Sequence, residues 1–443
     1  MVESGKAKAT QMIDRFTLLC YSLLMNLLIP FVKIRLIKKG QHEAGYLFRP
    51  QERFGIYEGM PTKDLIWIHA VSLGESRAAA VLLTRIRKSH PSLRFLLTHG
   101  TATGREEGMR MLQTGDLQVW QPWDTPQAVN RFFAHFKPKI GLLIETEIWP
   151  NLLACAKKQN IPVALINARM SLKSFEKALS LSFLSKPAFR SLCFALAQNE
   201  QDAKYLNDLD CVVKQVVGNI KFDAQLNPLQ IEHGKAWRQK RQRPMVLFAS
   251  SREGEEKIFL DSIQELSPTA RCQVLWCIVP RHPQRFSEVE ELIESMGFLC
   301  IKRTSCDQLS EVLNLDVSLT QTTVFLGDSM REMNFYYSSA EVALLGGSFM
   351  AFGGQNLIES IASECPIIVG PYTYNFGEVA SQACAMGAAK EVGDMKSAVS
   401  QALHLIEKKT ELQEMHASGI RFIRVHQGAT ERTFQAIDKL LVD

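Results

Sequence analysis

Residues 64–99 read DLIWIHAVSLGESRAAAVLLTRIRKSHPSLRFLLTH, and this stretch decides the fold. Two runs that are largely apolar, 64–71 and 93–99, enclose a segment, 76–89, with helical character. A short strand with no polar face must be covered on both sides, which is typical of a parallel sheet flanked by helices. The stretch therefore predicts a strand–helix–strand unit of an α/β sheet.

The same alternation continues through the rest of the chain in two series, separated by a polar stretch at 222–244 that predicts a linker and a short helix. The further apolar runs lie at 117–121, 139–146, 161–168 and 194–198, then at 245–251, 272–280, 322–328, 341–347 and 366–370. Helical segments at 394–408 and 410–424 close the chain. We predict two Rossmann-like αβα domains, 41–222 and 223–443. Ligands of such sheets bind at the carboxyl ends of the strands, so the cleft between the domains is the expected site.

The composition is that of a well-packed globular chain. Of 443 residues, 46% are hydrophobic and 22% are charged, which excludes a disordered protein. The net charge of +5 is mild and no basic run is interleaved with aromatics, so we expect no nucleic-acid partner. The ten cysteines form no C-x-x-C pair and no Cys/His cluster, which favours a reducing compartment and predicts no structural zinc.

The N-terminal segment 1–40 is predicted to be a membrane anchor with a basic juxtamembrane stretch. Residues 16–32, FTLLCYSLLMNLLIPFV, carry no charge, and basic residues follow at 33, 35, 38 and 39. A signal peptide would need a cleavage site of small residues, and a soluble amphipathic helix would need a polar face. Spanning the bilayer and lying in its interface both stay open. The basic cluster predicts that the remainder faces the cytoplasm.

Residues 346–359, GGSFMAFGGQNLIE, carry the first functional signal. A strand that runs into two glycine pairs and then a short helix lets backbone amides approach a ligand, and a helix N-terminus favours an anion. Glu359 lies about one turn into that helix, where a carboxylate can accept hydrogen bonds from a ribose. The glycine spacing differs from the dinucleotide fingerprint G-x-G-x-x-G. An ordinary glycine-rich turn is equally compatible with the glycines alone.

Carboxylates follow two strands of the first predicted domain. Glu75 begins a helix just after the first strand, where it can stay ionised and take a proton from an attacking hydroxyl. Glu145 and Glu147 stand together at the end of the run 139–146. Each acid also has a structural interpretation. Glu75 can serve the helix N-terminus, and the other two can form ion pairs with Lys or Arg.

Cations occupy comparable loops. Arg105 ends the Thr- and Gly-rich loop 99–106, which can bind an anion or simply start a helix. Lys221 lies near the domain boundary, where it can reach a phosphate or remain solvated. Arg281 stands between two prolines and is suited to a phosphate or carboxylate. The loop 327–333, GDSMREM, also joins a strand to a helix, and no Walker A, G-x-S-x-G or H-E-x-x-H motif occurs.

The ordered motifs together resemble one family over nearly the whole chain. They are WIHAVSLGE, TATGR, ETEIWPNL, GNIKFD, PRHPQR, GDSMREM, GGSF with GGQNLIE, and GPYTYNF. This series is similar to that of the bacterial Kdo transferases, which add 3-deoxy-D-manno-octulosonic acid (Kdo) to the lipid A precursor. The resemblance implies a GT-B glycosyltransferase of the inner membrane, inverting and metal-independent. It implies CMP-Kdo as donor and a tetraacyl lipid A precursor as acceptor, with no cofactor.

The resemblance also implies roles for particular residues. Glu75 matches the general base of the family. Lys221 and Glu145 match the positions that stabilise the transition state, with Glu147 as the alternative to Glu145. Arg105 and Glu147 fall among the further residues of the cleft. The CMP-contacting segments correspond to Pro280, Arg281, Met330, Arg331, Glu332, Gly353, Gly354, Asn356, Leu357, Ile358 and Glu359.

Two departures from the family pattern stand out. The family usually reads GGHNPLE where this chain has GGQNLIE, so Gln355 replaces a histidine. Glutamine keeps a side-chain donor but cannot become cationic. Arg331 stands where the family commonly has glycine, and its cation can touch the donor phosphate or point to solvent.

Two other functions stay open on the sequence. One is a membrane-associated GT-B glycosyltransferase that uses another nucleotide sugar, such as a UDP-sugar. The other is a sugar-nucleotide-binding protein without catalysis, although such a protein would not need Glu75. The sequence also leaves open how many Kdo residues are added, because acceptor choice depends on the shape of the cleft.

Overall fold

The structure, a computed structural model, describes residues 2–223, 226–306, 308–312 and 321–442. The chain divides into two compact units. The first comprises Met1–Ala224 with Gln427–Asp443, and the second comprises Gln225–His426. Each unit is built around its own parallel sheet, as the alternating pattern predicts.

The first unit contains a seven-stranded parallel sheet in the order β3-β2-β1-β4-β5-β6-β7. Its strands are β1 (Ile66–His69), β2 (Phe95–His99), β3 (Leu117–Trp120), β4 (Ile140–Ile144), β5 (Val163–Ala168), β6 (Phe194–Ala197) and β7 (Val213–Val216). Its helices are α1 (Val2–Leu27), α2 (Ile29–His42), α3 (Leu73–Ser89), α4 (Ala102–Met109), α5 (Pro126–Phe136), α6 (Pro150–Lys158), α7 (Leu172–Ser180), α8 (Ser182–Phe189) and α9 (Glu200–Asp208). The strand order reverses between β1 and β4, where Ile66 pairs with Ile140.

The second unit repeats this design with the order β10-β11-β9-β8-β12-β13-β14. Its strands are β8 (Met245–Ser251), β9 (Leu275–Pro280), β10 (Leu299–Lys302), β11 (Thr323–Leu326), β12 (Val342–Leu345), β13 (Ile367–Val369) and β14 (Ala389–Glu391). Its helices are α10 (Pro228–Lys240), α11 (Glu255–Gln264), α12 (Pro268–Cys272), α13 (Phe286–Ser295), α14 (Leu309–Val312), α15 (Met333–Ser339), α16 (Leu357–Ala362), α17 (Gly377–Ala385), α18 (Met395–Glu407) and α19 (Lys409–His426). The order reverses between β8 and β12.

The central strands are buried on both faces, which explains their unbroken apolar sequences. All residues of β1, β2, β4 and β5 are buried, and Trp67 lies in the core on one side of the sheet while Ile66 and Ile68 lie in the core on the other. The edge strands β7 and β10 are only partly buried. Their mixed sequences, VKQV and LCIK, give no comparable signal.

The last helix, α20 (Ala429–Val442), packs in the first unit although the chain has already passed through the second. Phe434, Ile437 and Leu441 join the core beneath α3. The Asp223 carboxylate accepts hydrogen bonds from the amides of Gly428 (2.7 Å) and Thr430 (2.6 Å) at the start of this helix. The last helix of the predicted C-terminal domain, 223–443, therefore belongs to the first unit. The apolar face of α20 is covered by the core of that unit.

The N-terminal segment forms two helices that meet at Leu28, with Pro30 in the first turn of α2. In the described residues no single helix is long and apolar enough to cross a membrane. Met12–Leu27 and Ile29–His42, bent by 47°, meet the length and hydropathy criterion only as a pair.

Replacing Asp223 by alanine should loosen α20, because two amides at its start lose their acceptor, a loss of about 1–2 kcal/mol at a helix cap. Hydrogen exchange of residues 429–442 should accelerate while exchange in α3 changes little. Asp208→Ala, which removes an exposed carboxylate from the end of α9, is the matched control. Equal exchange rates in the two variants would show that Asp223 does not hold the helix.

Candidate active site

The first cluster of interest lies at the carboxyl ends of β1 and β4, where the strand order of the first sheet reverses. Such a switch point leaves an open crevice above the sheet, and it is where ligands of α/β units bind. The loop after β1 carries Glu75, and the loop after β4 carries Glu145 and Glu147. The structure thus brings the three predicted acids together on one unit.

Glu75 is buried and held by a capping box at the start of α3. Its carboxylate accepts hydrogen bonds from the Ser72 hydroxyl (2.7 Å) and the Val71 amide (2.7 Å), and Ser72 Oγ accepts one from the Glu75 amide. Burial raises the pKa of Glu75 above its ordinary value; the charges of Glu147 and Glu145 also raise it, and the two hydrogen bonds oppose the rise. Glu75 therefore does serve the start of α3, as the structural interpretation has it. The same contacts hold a carboxylate with a raised pKa at the switch point.

Glu145 forms an ion pair with Lys221, with 2.6 Å between Oε1 and Nζ. Glu145 has φ +63°, a left-handed conformation that non-glycine residues adopt at a cost and that is often found at functional sites. The backbone before Lys221 is held by Asn167, whose side-chain oxygen accepts from the Ile220 amide at 3.0 Å. Its ammonium also approaches Gly74, the residue before Glu75. One cation therefore adjoins both acidic loops.

Glu147 is held by the indole of Trp149, whose Nε1 donates to it at 2.9 Å, and faces His69 Nε2 at 3.8 Å. Burial alone would raise the pKa of Glu147, but His69 and Trp149 outweigh burial and lower it. His69 is fully buried, and its Nδ1 lies 2.8 Å from the Thr98 hydroxyl. Glu147 is therefore the acid that stays ionised beside Glu75.

Arg105 lies elsewhere in the same unit. It is buried, donates to Glu52 at 2.8 Å, and stacks its guanidinium near the rings of Phe48 and Trp120. The prediction that it binds an anion from the cleft has no support in this arrangement, because Glu52 already neutralises it. No local pattern indicates this pair, since Glu52 and Arg105 are distant along the chain.

The glycine loop after β12 is the second cluster, and its first half is already occupied by a carboxylate of the protein. Glu255, fully buried at the start of α11, accepts hydrogen bonds from the amides of Gly347 (2.7 Å), Phe349 (3.1 Å), Met350 (3.2 Å) and Arg252 (3.0 Å). The predicted anion-binding amides thus hold an internal anion. Glu255 was missed, although an acid at the start of a helix after a buried strand is the same signal that singled out Glu75.

The second glycine pair shapes the entry to α16. Gly353 (φ +89°) and Gly354 (φ +76°) both adopt left-handed conformations, which explains the two glycines. Asn356 caps α16 by accepting from the Ile358 amide at 3.1 Å. The side chains of Leu357 and Ile358 are buried, so these two predicted contact residues have only backbone to offer a ligand. Glu359 accepts from Asn334 Nδ2 at 3.0 Å.

Arg281 follows β9 and points to the glycine loop, where its Nε donates to Gln355 Oε1 at 3.2 Å. A glutamine therefore serves as acceptor for the guanidinium at the position where the family usually has histidine. Pro280 is buried as the last residue of β9 and fixes the start of this loop.

The three residues predicted in the loop before α15 have different environments. Met330 is half exposed, and Glu332 accepts from Ser329 Oγ at 2.5 Å and from Arg303 Nη2 at 3.0 Å, so Glu332 braces the loop. Arg331 is exposed with φ +66°, a conformation that glycine adopts at no steric cost. This backbone conformation agrees with the glycine that the resemblance leads us to expect at that position.

Comparisons with known proteins identify similar sequences and a similar fold. A family model described as 3-Deoxy-D-manno-octulosonic-acid transferase (kdotransferase) matches residues 49–224. The 3-deoxy-D-manno-octulosonic acid transferase of Bordetella pertussis is 38% identical over 95% of this chain and 99% of its own length, and that of Haemophilus influenzae is 29% identical over 89% and 92%. The UDP-GlcNAc 2-epimerase from Neisseria meningitidis, solved with UDP-GlcNAc bound, is similar with a TM-score of 0.55 at 16% identity, covering 86% of this chain and 100% of that one.

The two parallel α/β units and this structural likeness define a GT-B-type fold. The chain belongs to the 3-deoxy-D-manno-octulosonic acid (Kdo) transferase family and is a glycosyltransferase. The family, the fold class and the prediction of an enzyme are confirmed.

Replacing Glu255 by glutamine should disorder the first half of the glycine loop, because an amide side chain cannot accept four hydrogen bonds as a carboxylate does. We expect hydrogen exchange at Gly347, Phe349 and Met350 to accelerate at least tenfold, in line with a loss of roughly 1–3 kcal/mol. The neighbouring exposed acid provides the control, Glu253→Gln. Unchanged protection of the loop in Glu255→Gln would refute the internal-anion account.

Proposed function

We propose that this enzyme moves Kdo from CMP-Kdo to a sugar hydroxyl of the tetraacyl lipid A precursor, with inversion and without a metal ion. Membership of the family supports the sugar that is transferred. The observation that carries the chemistry is Glu75, a buried carboxylate with a raised pKa at the switch point of the first sheet. A raised pKa makes a carboxylate a better proton acceptor near neutral pH.

In the proposed step Glu75 takes the proton of the acceptor hydroxyl as its oxygen attacks the anomeric carbon of Kdo. The bond from that carbon to the phosphate oxygen breaks, and its electron pair leaves with CMP. A single displacement of this kind inverts the anomeric centre. Positive charge that develops at the sugar is favoured by Glu145 and Glu147, and Lys221 limits the repulsion among the acids.

The second unit is proposed to bind the CMP moiety. The leaving phosphate gains negative charge, which Arg281 and the backbone amides near Asn356 can stabilise. Gln355 would orient Arg281 through its 3.2 Å hydrogen bond rather than act as a second cation. Glu359 is proposed to accept hydrogen bonds from the ribose. We propose that these groups stabilise the developing charge and that no divalent ion takes part.

Residues 1–40 are proposed to attach the enzyme to the cytoplasmic face of the inner membrane, where a lipid acceptor lies. The apolar run 16–32 and the basic residues after it support this placement. A basic surface next to the bilayer also attracts an anionic lipid.

The test is a transfer assay with CMP-Kdo and the tetraacyl precursor in EDTA, with products read by mass spectrometry. Added Kdo units would support the donor, the acceptor and independence from metal, and would count the additions. Product that forms only with a divalent ion would refute metal independence. CMP binding without any product would instead favour a different nucleotide sugar or a protein that binds without catalysis.

Glu75→Gln should lower kcat by roughly 10²–10⁴-fold, because the amide cannot accept the proton. Its oxygen and nitrogen can still meet Val71 and Ser72, so the fold of the first unit and CMP binding should be preserved. Transfer rates, circular dichroism and calorimetric CMP binding check this, with Glu106→Gln as an exposed control. Near-normal turnover in Glu75→Gln would exclude it as the base.

The activity should fall on acidification at a higher pH than an ordinary glutamate would cause, because Glu75 must be ionised and its pKa is raised. Glu147→Gln removes one neighbouring negative charge that contributes to this rise. The acidic limb of kcat/KM should therefore move to lower pH, whatever the loss in rate. A limb that stays in place or moves to higher pH would contradict the coupling of the two acids.

A further inference from the structure

Helix α1 makes hydrogen bonds and an ion pair with the rest of the first unit along the segment that the sequence predicts to enter a membrane. The contacts are Asp14 Oδ2 with Arg190 Nη2 (3.5 Å), Thr17 Oγ1 donating to Phe183 O (3.3 Å), Ser22 Oγ donating to Asn151 Oδ1 (2.7 Å) and Trp123 Nε1 donating to Met25 O (3.0 Å). They run from residue 14 to residue 25, which is about 16 Å of helix. Ser22 and Met25 are buried by the contact.

These contacts are incompatible with a helix that crosses the bilayer. A spanning helix carries its middle residues into hydrocarbon, away from a water-facing domain. Here the partners of α1 belong to the folded body: Asn151 lies in α6 and Trp123 precedes α5. The second helix is tied to the turn that follows it: Leu47 covers Gly40, and Lys39 Nζ lies 4.9 Å from the ring of Tyr46, which stacks on Trp120 of β3.

The opposite face of α1 is apolar and uncovered. Its large residues recur at helical spacing and are each between 52% and 72% exposed: Met12, Ile13, Phe16, Leu19, Leu23, Leu24 and Leu27. Phe31, Ile34 and Ile37 of α2 continue the exposed stripe with 53–69% exposure. A contiguous apolar face of this length is typical of a membrane or protein contact.

The charges beside this face point to a lipid surface with anionic headgroups. Between residues 15 and 42 the chain carries Arg15, Lys33, Arg35, Lys38 and Lys39 and no acidic residue. Amphipathic helices that lie in the membrane interface combine an apolar face with such cations.

A second element adjoins the stripe. The carbonyl of Phe183, at the start of α8, accepts the hydrogen bond from Thr17, so this residue lies beside α1. Its side chain is 51% exposed, and Leu179 and Leu181 in the same corner are also exposed. Lys173 and Lys177 of α7 add exposed cations nearby in the chain.

We infer that the chain binds the membrane monotopically, with α1 and α2 lying in the interface and the α7–α8 corner, residues 179–183, inserting beside them. The inference rests on the proposed membrane attachment and specifies its form. Neither the N-terminus nor any part of α1 crosses to the far side. The surface faces phospholipids with anionic headgroups.

The first test locates the N-terminus of the full chain. A peptide tag before Met1 should be cleaved by added protease in inside-out membrane vesicles, where the catalytic units are also accessible. It should be protected in spheroplasts. Cleavage in spheroplasts with protection in inside-out vesicles would show a spanning helix and overturn the inference.

The second test measures flotation of the purified full chain with phosphatidylcholine vesicles that contain or lack phosphatidylglycerol. Phe183→Asp should weaken binding about tenfold, as expected for an apolar side chain that no longer enters the interface. Leu19→Asp combined with Leu23→Asp should weaken it further, and both effects should be larger than any from Val212→Asp, which is 64% exposed elsewhere on the unit. Equal binding of Phe183→Asp and Val212→Asp would remove the corner from the proposal.

Transfer to a detergent-dispersed acceptor separates this inference from the proposed function. Variants that lose vesicle binding should keep this transfer, since they do not touch the acidic cluster. Loss of vesicle binding with retained transfer supports the membrane face alone. Intact vesicle binding without any transfer by the unaltered chain would refute the proposed reaction and leave the membrane face standing.

Discussion

The site depends on the short loop between β1 and α3, where the Glu75 carboxylate accepts from the Val71 amide and the Ser72 hydroxyl. These bonds hold an acid in a buried position that its charge would otherwise oppose. They also fix it at the one point of the sheet where neighbouring loops diverge. The two bonds themselves lower the pKa of Glu75, but they hold it in the buried position beside Glu145 and Glu147 that raises this pKa.

The three acids Glu75, Glu145 and Glu147 differ in the groups that surround their carboxylates. Lys221 neutralises Glu145, while His69 and Trp149 keep the pKa of Glu147 low. Glu75 has neither a cation of its own nor full solvation, so it is the acid on which a proton is most easily placed. An acid with a lowered pKa, Glu147, beside one with a raised pKa, Glu75, is the division expected of an acid–base site.

An acid in the first turn of a helix has a different structural role in each of the two units. Each first strand, β1 or β8, is followed by an acid in the first turn of a helix. In the first unit this acid is Glu75 and caps only its own helix. In the second it is Glu255, whose carboxylate organises the glycine loop of another strand through three amides. The amides of Gly347, Phe349 and Met350 therefore build the loop, and the proposed nucleotide contacts fall to Arg281 and the region of Asn356.

The sequence predicted the buried strands because a strand covered on both faces has no polar alternation, as in IWIH and IGLLI. It did not show β7, β10 or β14, whose edge positions permit lysine, glutamine and glutamate, nor α20, which depends on contacts with α3 far along the chain. The three acids were found from their strand-end positions. The Glu52–Arg105 pair was not, because it depends on a tertiary contact with no local pattern. Glu255 was missed although its position at a helix start matches that of Glu75, and the loop amides that it holds lie far along the chain.

The ionisation of Glu75 is the most direct test of this account. With glutamate labelled by ¹³C at the side-chain carboxyl, the Glu75 resonance can be assigned by its absence in Glu75→Gln and followed with pH. The account predicts that Glu75 titrates above the ordinary value for glutamate, as burial beside Glu147 and Glu145 requires. Titration at or below the ordinary value would contradict it, because an acid that holds its proton no more tightly than one in water has no advantage as the base.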